Sequence, residues 1–357
     1  MNFSETIFLT GFPGFIAGKL IKQLATHDRQ RFFLLVQQEF VEKAMRKIEK
    51  IAVDVAVPPE NFVVIEGDIT LENLGVSETD LKIVQAETTD VFHLAAVYDL
   101  AVEKDLAFRV NVEGTKNVNE FVKSLPNLRR YNYVSTCYVA GRRTGDIQET
   151  ELEHSKGFRN FYEETKYLAE REVEKLKAKI PTTVFRPSVV VGDSRTGETS
   201  KYDGIYSLIL YLRKAPNLLR FVNVGNEHVK LNLVPVDFVV DAIAALAKDK
   251  RAIGKTIALA DPNPLTTGEL FDTIAESLTG KKSVVKPPEK LIEKSLMLPL
   301  SPAISGLPFP AVPYFFVPQT YDTSVADELL LNHGIHCPNF NSYVGNLLQF
   351  VEKNPKL

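Results

Sequence analysis

Cysteine is scarce in this chain of 357 residues. Its two thiols, Cys137 and Cys337, form no spaced ligand set for a metal and no disulfide framework. That usage fits a reducing compartment, and a cytoplasmic location is the expectation. An excess of positive charge is also missing. With a net charge of −3 at pH 7, the chain has no basic footprint for phosphates, so no nucleic-acid partner is expected. Long apolar runs are lacking too. No stretch of about 18 uninterrupted apolar residues occurs, and no membrane-spanning helix is expected. Met1–Glu5 is short and polar-flanked and leads straight through Thr6–Thr10 into glycines, unlike a secretory signal. Core-forming material is plentiful: 45% hydrophobic against 24% charged residues suits one large domain or two small ones.

Local patterning alternates. Glu5–Thr10 reads as a strand, and Gly11-Phe12-Pro13-Gly14-Phe15-Ile16-Ala17 as a glycine turn opening an amphipathic helix. Each small residue has a mechanical role there. Gly11 permits the tight turn, Gly14 lets backbone approach a pyrophosphate, and Ala17 lets helix pack closely on strand. The helix start offers N–H groups and a positive dipole to phosphates. Further strands are read at Arg31–Val36, Asn61–Glu66, Thr89–Leu94, Arg130–Ser135 and Thr182–Arg186. Helices are read at Glu39–Ala52, Val110–Ser124 and Phe161–Lys177. This order predicts an α/β fold, a Rossmann-type doubly wound parallel sheet over residues 1–192. Ligands bind beyond the carboxyl ends of such strands. Thr10, Gln37, Asp68, Ala95 and Thr136 fall near strand ends and should converge.

The residue after the second strand reads the cofactor. An acid there bonds the ribose 2′-hydroxyl of NAD, and a cation accommodates the 2′-phosphate of NADP. Gln37-Gln38 is neither. Lys43 and Arg46 follow on the next helix, as phosphate ligands or as solvated helix charges, and NADPH is weakly preferred. Asp68 could accept a bond from the adenine amine or serve as a turn or cap residue.

Tyr162 and Lys166 lie four apart in a segment free of Gly and Pro. They should share one helical face. A cation beside a phenol stabilises phenolate and should lower the tyrosine pKa toward neutrality, which makes an acid–base device. Taken alone, the pair also suits a surface helix. Ser135 and Thr136 end the fifth strand, where a hydroxyl could hold a carbonyl oxygen. Alternation lets only one of them reach the pocket. His93 reads as structural.

In order, TGFPGFIAG, GDI, HLAA, NVEGT, VSTCYVAG, YEETK and FRPSVVVG resemble the extended short-chain dehydrogenase/reductases, tightly over about the first 190 residues. The resemblance implies that Thr136 is the active-site hydroxyl rather than Ser135, Tyr162 the general acid/base, and Lys166 its partner and a ligand of the nicotinamide ribose. Asn111 is implied as support for the lysine through water. The loop Arg186-Pro187-Ser188, running into Val189, is implied to lie beside the nicotinamide. The implied cofactor set is Thr10, Gly11, Phe12, Pro13, Gly14, Phe15, Ile16, Gln37, Arg46, Asp68, Ile69, Ala95, Tyr162, Lys166, Pro187, Ser188 and Val189. Within the family, YVSTCYVAG, YEETKYLAE, FRPSVVVGDSRTGE and Val317–Ser324 look like the thioester-reductase and fatty acyl-CoA reductase (male-sterility-type) branch, whose members reduce acyl thioesters with NADPH. Phe12-Pro13 and Gln37 depart from that branch, which commonly has an arginine at the latter position. The chain also carries neither the extra C-terminal region of eukaryotic acyl-CoA reductases nor adenylation and carrier modules.

Residues 193–357 are expected to form mostly a smaller substrate-binding α/β region, with segments at about 230–260 returning to the sheet. Helices are read at Tyr202–Arg213, Phe238–Lys248, Ser324–Asn332 and Ser342–Lys353, with a strand at Leu231–Pro235. Asp237 reads as an N-cap, and Thr266–Glu269 as a capping box. Ser295–Phe316 is apolar and proline-broken; it suits a functional surface, either an acyl-chain tunnel or a membrane-surface contact, as well as it suits a buried loop completing the core. Arg142 and Arg143 read as turn arginines or as contacts for a substrate carrier. The expected function is carbonyl reduction on an acyl thioester, a fatty aldehyde or a ketone. The implied partners are an apolar acyl or ketone substrate, CoA or acyl carrier protein, and a second copy docked through Val110–Ser124 and Phe161–Lys177. A ketone reductase of the hydroxysteroid-dehydrogenase kind and a nucleotide-sugar epimerase are the alternatives. A dehydratase would carry Asp-Glu where Cys137-Tyr138 stands, and a redox-sensing binder would lack Tyr162.

Overall fold

The computed structural model describes residues 3–214, 222–298 and 309–356. Its centre is a seven-stranded, all-parallel sheet. In chain order its strands are β1 (Glu5–Thr10), β2 (Gln30–Val36), β3 (Phe62–Glu66), β4 (Asp90–His93), β5 (Arg130–Val134), β7 (Thr182–Pro187) and β10 (Thr256–Leu259). Their spatial order is β10-β7-β5-β4-β1-β2-β3. The sequence reverses direction between β1 and β4, and in such sheets the binding crevice lies at that point. These strands read as near-continuous apolar runs because helices cover both faces.

One face carries α1 (Phe15–Leu24), α2 (Val41–Val55), α8 (Val236–Lys248) and α11 (Ser324–Leu331). Their buried residues, including Leu20, Ile21, Ile48, Val239, Ile243 and Leu330, form one core with Ile7, Leu9 and Phe32. The other face carries α3 (Glu78–Glu87), α5 (Gly114–Lys123) and α6 (Phe161–Glu174). There Val84, Val118, Phe121, Ala169 and Val173 pack on Phe8, Phe33 and Val91. A third core belongs to the C-terminal half. It joins α7 (Ile205–Lys214), α9 (Thr267–Thr279) and α12 (Phe340–Lys353) through Tyr206, Ile209, Phe271, Phe340 and Leu347. Short parallel pairs, β6 (Gly145–Ile147) with β11 (Gln319–Tyr321) and β8 (Val189–Val191) with β9 (Leu233–Pro235), stitch that half to the first.

The structure departs from the sequence reading at several places. Thr256–Leu259 lies inside the stretch at about 230–260 expected to return to the sheet but is not itself read as a strand, and the helix Glu78–Glu87 has no counterpart in that reading. The first is only four residues long, and the second carries a weak apolar pattern with Val84 as its buried residue. Asp237 is not an N-cap. Pro235 holds that position, and the Asp237 carboxylate instead accepts from Ser194 N (2.8 Å) and Ser194 Oγ (2.5 Å). The helix expected at 110–124 is broken by a π-helical segment, Phe108–Glu113, after α4 (Lys104–Ala107). Such bulges concentrate at functional sites, and this one holds Asn111. Of the apolar segment Ser295–Phe316, residues 299–308 lie outside the described residues. The capping box at Thr266 and Glu269 forms as read.

Candidate active site

A cleft of about 810 Å³ opens at the carboxyl ends of the strands. Thr10, Gln37, Asp68, Ala95 and Thr136 all line it. Its floor at one end is the turn between β1 and α1. Gly11 adopts φ +93°, and a Cβ there would sit 2.9 Å from Leu94 C and Ala95 N. A Cβ on Gly14 would meet Gly11 O at 2.6 Å. These contacts leave no room for side chains, so bare backbone faces the cleft. Gly14 caps α1 without a side-chain bond, which keeps the first helical N–H groups available to an anion. This cradle fits a dinucleotide pyrophosphate.

Phe12, Pro13, Phe15, Ile16, Ile69, Pro187, Ser188 and Val189 line the cleft with these residues. Arg46 does not. It is 71% exposed and pairs with Glu42 at 3.6 Å, because it lies on the outward side of α2. Lys43, one turn earlier, lines the cleft instead. The Gln37 amide donates to Asp68 Oδ2 (2.8 Å), and Asp68 Oδ1 accepts from Thr70 N (2.8 Å). Desolvation is the largest single influence on the Asp68 carboxyl, but the bonds from Thr70 and Gln37 together with the Arg109 charge outweigh it and hold the group below its ordinary range. Sequence reasoning missed Lys47. Its Nζ donates to the carbonyls of Pro13 (3.2 Å) and Gly14 (3.1 Å), bracing the glycine turn from behind. Burial, then the neighbouring Lys43, lowers its pKa to about 8.

At the other end stand Thr136, Tyr162 and Lys166. Asn160 caps α6 by accepting from Glu163 N (3.0 Å), so Tyr162 falls in the first turn. Thr136 and Tyr162 both line the cleft, and the Thr136 hydroxyl acts on the Tyr162 phenol, partly opposing the effect of burial. Ser135 points elsewhere: its Oγ donates to Glu170 Oε2, and Glu170 pairs with Arg186 at 2.6 Å in the interior. Strand alternation therefore separates the two hydroxyls. Arg186 also donates to the Glu149 and Glu151 carbonyls (3.1 and 3.0 Å), so it supports the loop while Pro187, Ser188 and Val189 line the cleft.

The expectation that Lys166 makes Tyr162 more acidic is not met. Burial, and then Tyr98, pushes the Tyr162 hydroxyl above its ordinary value, and Lys166 is not among the groups acting on it. The ammonium is turned to the sheet, donating to Tyr133 OH and Val134 O at 2.9 Å each. Desolvation lowers the Lys166 pKa to about 8, partly opposed by Glu170. A lysine whose folded pKa lies below its unfolded value contributes stability at high pH that is lost as pH falls through the folded value. Relative to Lys166→Met, the wild-type chain should therefore gain about 3 kcal/mol between pH 8 and pH 10.5. Paired denaturant titrations across that window check this, and a constant difference would refute it.

Asn111 is buried but makes no direct bond to Lys166. Its Oδ1 accepts from Val97 N (2.9 Å), and its Nδ2 donates to Thr165 Oγ1 (3.0 Å). It ties the loop after β4 to α6. His93 is internal: Nδ1 meets Thr10 Oγ1 (2.7 Å) and Nε2 meets Thr115 Oγ1 (3.1 Å). Desolvation, then the Lys166 charge, lowers its pKa to about 3 and keeps it neutral. Thr10 Oγ1 also accepts from Leu94 N and Ala95 N, so it fastens β1 to β4. Arg142 donates to the Phe158 carbonyl at the surface, whereas the mostly buried Arg143 side chain donates to the Ala140 carbonyl and pairs with Glu151 (3.2 Å); neither lines the cleft. Tyr98 and Tyr138, unremarked as site residues in the sequence, line the cleft beside Tyr162.

Several known proteins share this architecture. The family model described as "Male sterility protein", an NAD-binding model, matches residues 9–243. The fatty acyl-CoA reductase wat of Drosophila melanogaster is 28% identical over 279 residues, 68% of this chain and 54% of that protein. This chain thus spans about half the length of that relative. Fatty acyl-CoA reductase 1 of Arabidopsis thaliana is 22% identical over 347 residues, 76% of this chain and 70% of the relative. The terminal R domain of the myxalamid PKS-NRPS biosynthetic pathway superposes with a TM-score of 0.83 at 23% identity, covering 99% of this chain and 92% of that one. The glycine-turn cradle, the parallel sheet and the match over residues 9–243 agree, and the chain belongs to the male-sterility-type, NAD-binding branch of the extended short-chain dehydrogenase/reductases.

Proposed function

We propose that this chain reduces a substrate carbonyl, carried as an acyl thioester, an aldehyde or a ketone, with NADPH. The observation behind this reading is that Thr136 and Tyr162 line the same cleft as the bare glycine cradle. In this reading Gly11–Ile16 hold the pyrophosphate, and Asp68, Ile69 and Ala95 flank the adenosine half. Lys166, Pro187, Ser188 and Val189 lie against the nicotinamide half. A bound nicotinamide supplies hydride to the carbonyl carbon. Thr136 and Tyr162 hydrogen-bond the carbonyl oxygen. Tyr162 keeps its proton until negative charge grows there and then donates it, which suits a phenol whose pKa is raised rather than lowered. Lys166 supplies positive charge from the next turn, and Asn111 keeps α6 and the loop at Val97 in register.

The relatives lend the substrate class. Two are named fatty acyl-CoA reductases, and a thiolation-reductase di-domain from an archaeal non-ribosomal peptide synthetase shares the fold with a TM-score of 0.77. A screen of NADPH oxidation against acyl-CoAs, aldehydes and β-keto compounds tests the reading; no oxidation with any of them would end it. NADPH is assigned over NADH because Lys43 is the α2 cation in the cleft lining. Lys43→Ala should weaken NADPH binding about tenfold, the worth of one charge-assisted hydrogen bond, and leave NADH affinity unchanged. Calorimetric titration of both cofactors reads this, and equal weakening of the two would refute the assignment.

A further inference from the structure

The walls beside Tyr162 are built from tyrosine rather than from hydrocarbon alone. The Tyr98 ring meets Tyr162 edge-on, with centroids 5.1 Å apart and an interplanar angle of 84°. Tyr138 lines the same cleft and lies against Tyr314, with centroids 4.6 Å apart. Neither the Tyr98 nor the Tyr138 hydroxyl has a hydrogen-bond partner among the described residues. Tyr98 is half exposed to the cleft and Tyr138 partly so; of the buried tyrosines, Tyr131, Tyr133 and Tyr206 have their hydroxyls paired and Tyr343 does not. Asp203 and Lys201 line the same cleft, and Asp203 is the strongest charge acting on Tyr98.

This wall is fixed from behind. Tyr314 OH donates to Glu163 Oε1 (2.6 Å) and accepts from Asn160 Nδ2 (2.9 Å). The Arg159 guanidinium lies 5.4 Å from the centre of its ring. Glu163 is wholly buried and also accepts from Arg159 N (2.8 Å) and Arg159 NH1 (3.0 Å). The support for Tyr138 is therefore bonded to the first turn of the helix that carries Tyr162. Gln319 adds a second anchor, donating to the carbonyls of Gly141 (2.8 Å) and Arg143 (2.6 Å). A wall held this way keeps its hydroxyls in place before a ligand arrives, and preorganised groups discriminate best.

A plain hydrocarbon chain covering these hydroxyls would strip them of water and return nothing. A hydroxyl, keto or amide group would restore a partner, since a phenol both donates and accepts. We propose that Tyr98 and Tyr138 form a polar acyl subsite that hydrogen-bonds a hydroxyl, keto or amide group near the reacting carbonyl, selecting such acyl groups over plain hydrocarbon chains. The inference rests on the reductase reading and refines its substrate.

The test uses the full chain, NADPH and CoA thioesters of matched length: saturated, β-hydroxy and N-acylglycyl. The better functionalised thioester should exceed the saturated one in kcat/KM by about tenfold or more, one hydrogen bond's worth of discrimination. Tyr98→Phe and Tyr138→Phe should each shrink that ratio, chiefly through KM. Equal kcat/KM for all three thioesters, or a ratio that neither variant alters, overturns the proposal. If no thioester, aldehyde or ketone is turned over, the reductase reading fails separately. Calorimetric titration with the matched saturated alcohol and its β-hydroxy diol then reads the subsite alone. Tighter binding of the diol that Tyr138→Phe abolishes supports the subsite, and equal affinities overturn it.

Discussion

Tyr162→Phe is expected to lower kcat by about 10² to 10⁴, the usual contribution of a positioned general acid, with cofactor affinity and melting temperature retained. The hydroxyl is the only atom lost. The ring keeps its edge-on contact with Tyr98 and its place beside Val102 and Ala107. Burial already holds the Tyr162 proton tightly, so the side chain acts as an acid that releases its proton only to a strongly basic oxygen. Carbonyl oxygen becomes such a base as hydride arrives at carbon. Thr136→Ala should lose about 10² or more, since one preformed donor to the developing charge disappears. Single-turnover rates with the substrate found by the screen decide the matter. Wild-type turnover in Tyr162→Phe, with cofactor bound, would remove the tyrosine from the mechanism.

Glu170→Ala is expected to destabilise the chain by about 3–5 kcal/mol, the cost of leaving a buried charge without its partner. Arg186 and Glu170 are 4% and 0% exposed in their side chains. Arg186 donates to Glu170 Oε1 from Nε (2.9 Å) and NH2 (2.6 Å). Ser135 donates to the second carboxylate oxygen, so the pair joins β5, α6 and β7. Removing the carboxylate strands the guanidinium and frees the Ser135 hydroxyl. Arg186→Met with Glu170→Leu should recover most of the loss, because apolar replacement of both partners removes the buried charge. Denaturant midpoints of the single and double variants test this; a single variant within about 1 kcal/mol of wild type would contradict the burial argument.

Much of the nucleotide-binding half was legible from local chemistry. A strand, a glycine turn and a helix need only near neighbours, and the alternation of strands with amphipathic helices carries the parallel sheet. Misreadings fell where local signals are weak. Four residues suffice for β10 because the sheet already exists beside it. Asp237 carries cap chemistry, yet its carboxylate serves Ser194, distant in sequence. Arg46 and Lys43 lie on one helix three residues apart, and only packing of α2 on the sheet decides which faces the cleft.

By itself the sequence determined the fold class, the glycine cradle and the placing of Tyr162 one turn before Lys166, because helix and strand periodicity dictate them. Only the tertiary structure decided how those groups behave. Burial raised the Tyr162 pKa, and the sheet drew the Lys166 ammonium to Tyr133 and Val134. The segment holding Tyr314 came back to brace Tyr138 through Glu163 and Asn160. Desolvation and long-range hydrogen bonds depend on which surfaces meet, and no local pattern encodes that meeting.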